Sequence, residues 1–93
     1  MPEISDNTTF QVRDDIVTEE IEDELVILDL DGDVYFSLNE VGRLIWEEAA
    51  DGTAFGAIVD AICENYEVER ERAAEDARDF LGQALDEQLM ESS

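Results

Sequence analysis

The sequence predicts an α+β domain in which a three-stranded antiparallel sheet packs against three helices, and three observations lead there. Apolar residues are spaced for strands from Ile16 to Leu38 and for helices from Val41 to Leu89. The two regimes meet at Asn39, a residue suited to start a helix. An Asp31-Gly32 pair also divides the strand-like stretch. With 93 residues the chain has room for one such module, expected over residues 16–90. Residues 1–15 show no sustained period and are expected as a loose arm, and residues 91–93 as a frayed tail.

The elements follow in order. Ile16, Val17 and Ile21 mark a first short strand, and Leu25, Val26, Ile27, Leu28 and Leu30 a stronger second one. Asp-Gly between two strand-forming runs favours a two-residue turn with positive φ, so the third strand returns over Val34–Leu38. That turn would pair Leu30 with Asp33, Leu28 with Tyr35 and Val26 with Ser37 as hydrogen-bonded pairs. The main-chain groups of Asp33, Tyr35 and Ser37 are then spent on the neighbouring strand, and those of Val34, Phe36 and Leu38 face the opposite, open edge. Beyond Asn39, Val41, Leu44, Ile45 and Ala49 define a first helix ending at Asp51-Gly52. A second, with Thr53 as its expected cap, carries Phe55, Ile58, Val59, Ile62, Cys63 and Tyr66; Gly56 supplies no capping-box carboxylate. A third begins near Glu69 to Arg72 and runs through Ala73, Ala77, Phe80, Leu81, Ala84, Leu85 and Leu89.

Charge excludes several function classes. The chain has 27 acidic residues against five arginines (Arg13, Arg43, Arg70, Arg72, Arg78), neither lysine nor histidine, and a net charge of -22. Nucleic-acid backbones and anionic membrane surfaces are recognised by clustered cations, and no stripe of them exists here. Acids replacing lysine so completely match a surface adapted to high salt. A lone cysteine, Cys63, forbids an internal disulfide and suits a reducing compartment; it falls in the apolar pattern of the second helix and lacks a histidine to activate it. No apolar run approaches the roughly 20 residues that cross a bilayer, so the expected location is the cytoplasm.

No catalytic centre or cofactor site is expected. Asp29, Asp31, Asp33 and Glu40 fall at positions of a calcium-loop frame, but Val34 stands where that frame requires glycine, and strands flank it instead of helices. Transition metals have no Cys or His cluster to hold them, and the five glycines are too scattered for a phosphate loop. Trp46, beside Ile45, reads as packing. Alternation places Phe36 on the core face of the sheet and Tyr35 on the other, where Tyr35 either covers solvent-side packing or touches a ligand.

The succession Gly32, Tyr35-Phe36, Leu38-Asn39, Gly42, Ile45-Trp46, Asp51-Gly52, Ile58-Val59, Tyr66, Asp76, Phe80-Leu81 and Leu85 resembles, in order and spacing, PqqD-like proteins over residues 24 to 90. The resemblance implies a small winged helix-turn-helix-like domain. It also implies a non-enzymatic role as a recognition element for ribosomally made peptides that are later modified. The leader of the precursor would add as a strand to the edge of the third strand, along Val34, Tyr35, Phe36, Ser37 and Leu38, and lie against the third helix. Ala73, Ala77 and Phe80 would form a shallow apolar groove, with Asp76 meeting a basic or polar leader side chain. The implied partners are a precursor peptide and a maturation enzyme such as a radical-SAM protein or a peptidase and cyclase. Where members of the family begin the second helix with a polar cap and a glutamate, this chain has Ala54 and Gly56. The alternative function is an acidic winged-helix regulator that binds a protein partner.

Overall fold

Period-two alternation in residues 16–38 builds the sheet. The computed structural model describes residues 4–30 and 34–92 and contains, in chain order, β1 (Phe10–Val12), β2 (Ile16–Ile21), β3 (Glu24–Asp29), β4 (Val34–Leu38), α1 (Glu40–Ala50), α2 (Phe55–Asn65), α3 (Arg70–Asp86) and β5 (Met90–Ser92). Strands β2, β3 and β4 form an antiparallel sheet in that order. Leu28 stands opposite Tyr35 and Val26 opposite Ser37, as expected, but the expected hydrogen-bond pattern is reversed. The bond of 3.1 Å from Leu30 N to Asp15 O turns the main-chain groups of Leu30, Leu28 and Val26 toward β2, so Val34, Phe36 and Leu38 pair with β3, and Tyr35 and Ser37 face the open edge. The turn at Asp31-Gly32 and the pairing of Leu30 with Asp33 lie outside the described residues. Leu25, Ile27 and Leu38 turn inward and are buried, with Phe36 beside them half-buried, while Tyr35 and Ser37 face outward.

The helices cover the inner face. Asn39 Oδ1 accepts a hydrogen bond of 2.8 Å from the Gly42 amide, so the expected cap opens α1. Its inward stripe is Gly42, Ile45, Trp46 and Ala49, with Trp46 only 2% exposed, as core packing requires. Gly52, at φ +89°, lets the chain leave α1 through paired bonds from Gly52 N to Ala49 O and from Thr53 N to Glu48 O. From α2 come Phe55, Ile58, Val59 and Ile62, and from α3 Ala73, Ala77, Leu81 and Ala84, each a buried helical stripe. Arg78 lies over the Phe55 ring, 5.2 Å from its centroid.

Three further expectations are corrected. Residues 4–12 are not a loose arm and residues 91–92 are not a frayed tail: β1 pairs antiparallel with β5, and Thr8 and Phe10 are buried. The pairing joins segments about eighty positions apart, so no local period announces it. The cap of α2 is also different. Thr53 Oγ1 donates to Glu48 Oε2 instead, and Ala54 occupies the cap position with no side-chain bond. The first amides of α2 are satisfied by the N-terminal segment, Phe55 N donating to Thr8 O at 2.8 Å and Gly56 N to Asp6 O at 3.0 Å. A Cβ at Gly56 would stand 3.3 Å from Asp6 O and Asp6 Cβ, so glycine here permits the close approach. Finally, α3 ends at Asp86, short of Leu89. Gln88 takes φ 60°, with Gln88 N bonded to Leu85 O and Leu89 N to Ala84 O, a Schellman stop made without glycine.

Candidate functional site

The sheet leaves one edge of β4 without a strand partner among the described residues, because β3 occupies only its other side. Alongside that edge a cleft of about 210 Å³ opens between β4 and the C-terminal half of α3. Its floor is Ile27, Phe36, Leu38, Ala84 and Leu89, its flank is Phe80, and its polar contributions are Ser37, Gln83 and Glu87. A buried apolar floor next to unpaired main-chain groups is the surface that an added strand requires: the backbone bonds to the edge and alternate side chains enter the cleft.

Each part is placed by a local feature. Alternation along β4 sends Phe36 and Leu38 to the cleft side and leaves Tyr35, 70% exposed, on the opposite face. Helical spacing brings Phe80, Gln83, Ala84 and Glu87 to one side of α3. Phe80 comes close to the start of α1, where a Cβ at Gly42 would lie 3.3 Å from Phe80 Cε2 and 3.3 Å from Asn39 Oδ1. The lack of a side chain at Gly42 thus sets the position of the Phe80 ring and, through it, one wall of the cleft. The Schellman stop turns the chain so that Leu89 closes the lower end.

Of the residues expected at the site, Phe36, Ser37, Leu38 and Phe80 line the cleft. Val34 and Tyr35 belong to the same edge strand. Ala73 and Ala77 do not line it: both are fully buried, on the same stripe as Leu81 and Ala84 that carries helix packing. Their small size serves close approach of helices rather than a groove. Asp76 is also outside the cleft, half-exposed and accepting from Arg72 Nε at 3.3 Å one helical turn away. Sequence reasoning missed Ile27, Gln83, Ala84, Glu87 and Leu89. Steps of three and four from Phe80 would have found Gln83, Ala84 and Glu87; nothing local marks Leu89, which depends on where α3 stops.

The electrostatics are one-sided. All five arginines are engaged: Arg13 with Asp15 and Glu91, Arg43 with Glu20 and Glu47, Arg70 with Asp60, Arg72 with Asp76, and Arg78 on the Phe55 ring. The hydrogen bonds that Arg43 donates to the Glu20 and then the Glu47 carboxylate raise its pKa further above the ordinary value, so that it ties β2 to α1 as a permanent cation. Glu87 is the acid at the cleft and has no basic residue beside it in the lining. Cys63 is half-buried against the core, and no described helix is long and apolar enough to cross a membrane.

The model of the family described as coenzyme PQQ synthesis protein D (PqqD) matches residues 24–90, most of the chain. This chain belongs to the PqqD family. The matched span runs from the start of β3 to the first residue of β5, and so contains the β4 edge, α3 and the whole lining of the cleft. Among solved structures, TbiB1 in complex with the TbiA(beta) leader peptide is 40% identical with a TM-score of 0.81, covering 87% of this chain and 94% of that one. Lasso peptide synthetase B1 complexed with the leader peptide has the same fold, at 24% identity and a TM-score of 0.83, covering 88% of this chain and 96% of that one. A search of the curated proteins finds no match. The three-stranded sheet and three helices are thus shared with these structures, and the chain also pairs β1 with β5.

Proposed function

We propose that this PqqD-family chain is a non-catalytic recognition module that binds the leader of a ribosomally made precursor peptide in the cytoplasm and presents the rest of that precursor to a modifying enzyme. The observation that carries the reading is the cleft between the unpaired edge of β4 and α3. In this reading the leader adds as a strand to β4. Tyr35 and Ser37 supply main-chain donors and acceptors on the open side, since the bond from Leu30 N to Asp15 O turns the main-chain groups of Leu28 and Val26 toward β2 and leaves those of Ile27 and Asp29 to pair with Phe36 and Val34. Leader side chains on the inward face meet Phe36, Leu38, Phe80, Ala84 and Leu89 and must be apolar; one near Glu87 is favoured if basic. Family membership and the leader-bound state of TbiB1, which is 40% identical, support this choice over the regulator alternative. The enzyme to which the precursor is handed would be a radical-SAM protein or a peptidase and cyclase.

Strand addition is tested apart from side-chain recognition by N-methylating the leader peptide encoded beside this gene. Methylation of alternate amides removes donors from one edge of the peptide strand and keeps every side chain. The expected result is a loss of affinity of at least about tenfold for one set of alternate positions and little change for the other. Equal tolerance of both sets would contradict strand addition. Phe80→Ala is expected to weaken the unmethylated leader by about tenfold or more, as removal of an aromatic wall from a binding cleft does.

A further inference from the structure

We propose that the outer face of the sheet is a second docking surface, separate from the cleft, that receives the modifying enzyme through a patch of apolar side chains framed by basic residues. The identity of that partner rests on the leader-binding reading; the surface itself does not. Pairing of Val17 with Leu28 and of Leu28 with Tyr35 lays three apolar side chains side by side across all three strands, on the face turned away from the helices. Ile21, Val26 and Leu30 share the same parity and extend the row along β2 and β3. Val17 is 43% exposed, Ile21 51%, Leu30 66% and Tyr35 70%, a concentration of large apolar residues that no described element covers. On a chain of net charge -22 such a patch costs solubility without contributing to the core, and contiguous apolar surface with a polar rim is the mark of an interaction site.

The rim decides the occupant. Glu19 stands in the row beside Val26, and Glu24, bonded to Ser37, closes the end where Glu22 and Asp23 make the turn. No arginine reaches this face: Arg43 bonds Glu20 on the inner side, and Arg13 pairs with Asp15 and Glu91. Two copies meeting through this surface would bring like charges together, which opposes self-association. A partner presenting apolar side chains within a ring of Lys and Arg satisfies both parts. Because the cleft lies on the helix side of β4 and the patch on the other, leader and enzyme can be held at once, as presentation of the precursor requires.

The test uses the full chain, the modifying enzyme encoded beside its gene and the matching leader peptide. Enzyme affinity, leader affinity and sedimentation are measured on the same samples for wild type, Val17→Thr/Leu28→Thr and Glu19→Gln. Threonine keeps strand propensity and removes apolar surface, and Glu19→Gln leaves packing alone. The expected result is at least about tenfold weaker enzyme binding for the double variant, a smaller loss with reduced salt dependence for Glu19→Gln, and leader affinity within about twofold of wild type for both. Enzyme binding that is absent in wild type, or unchanged in both variants, overturns the proposal. So does a wild-type dimer that the double variant dissolves, since the face would then serve self-association. Failure of the leader to bind any sample while the enzyme still depends on Val17 and Leu28 overturns the leader reading and leaves the docking face standing.

Discussion

Gln88 shows how much one residue can settle. It ends α3 with φ 60°, a conformation that costs a side chain roughly 1 kcal/mol relative to glycine and that places Leu89 at the floor of the cleft. Gln88→Gly is therefore expected to stabilise the fold by about 0.5–1 kcal/mol, seen as a rise of several degrees in Tm; an unchanged or lower Tm would contradict the strain. Asn39→Ala is expected to cost about 1 kcal/mol by removing the 2.8 Å bond to the Gly42 amide. Gly42→Ala separates two effects. Alanine gains about 0.5–1 kcal/mol of helix propensity, yet its Cβ would crowd Phe80 Cε2 and Asn39 Oδ1 at 3.3 Å. Because Phe80 lines the cleft, a shift of its ring would reshape that wall, so the expected outcome is a melting temperature near that of wild type with clearly weaker leader binding.

At the scale of elements, the N-terminal segment and α2 form one unit. Carbonyls of Thr8 and Asp6 cap α2, Phe10 is 4% exposed, and β1 closes on β5. Phe10→Ala is expected to cost about 3–5 kcal/mol, enough to threaten folding in a domain of this size, and Gly56→Val to cost about 1–3 kcal/mol by pushing Asp6 away, both measured by denaturant titration. These contacts explain what the sequence could and could not tell. Elements with a local signature were legible: the register Leu28 opposite Tyr35, the cap at Asn39, and the stripes of α1 and α2. Strands of three residues whose partner lies at the other end of the chain carry no period, so β1 and β5 were not. The start of α2 looked uncapped because its cap is a distant backbone. The site was half legible: Phe36, Ser37, Leu38 and Phe80 follow from strand alternation and helical spacing, whereas Ala73 and Ala77 suit a groove or a helix interface equally, and only their burial against other helices decides.

The whole molecule is governed by its charge. With 27 acids and five arginines, each already engaged, repulsion among surface carboxylates opposes the folded state at low ionic strength. The Debye length falls from about 10 Å at 0.1 M salt to about 3 Å at 1 M, so stability should climb with added sodium chloride; a melting temperature flat across that range would contradict the argument. The same field sets partner choice, disfavouring nucleic acid and favouring basic leader side chains and a basic docking partner. The most direct test of the central claim is an NMR titration of labelled protein with the leader peptide encoded beside its gene. Strand addition predicts micromolar binding, large amide shifts along Val34 to Leu38 and at Phe80, Gln83, Ala84 and Glu87, and new protection of the Tyr35 and Ser37 amides from exchange. Binding that leaves those amides unshifted and unprotected would contradict it.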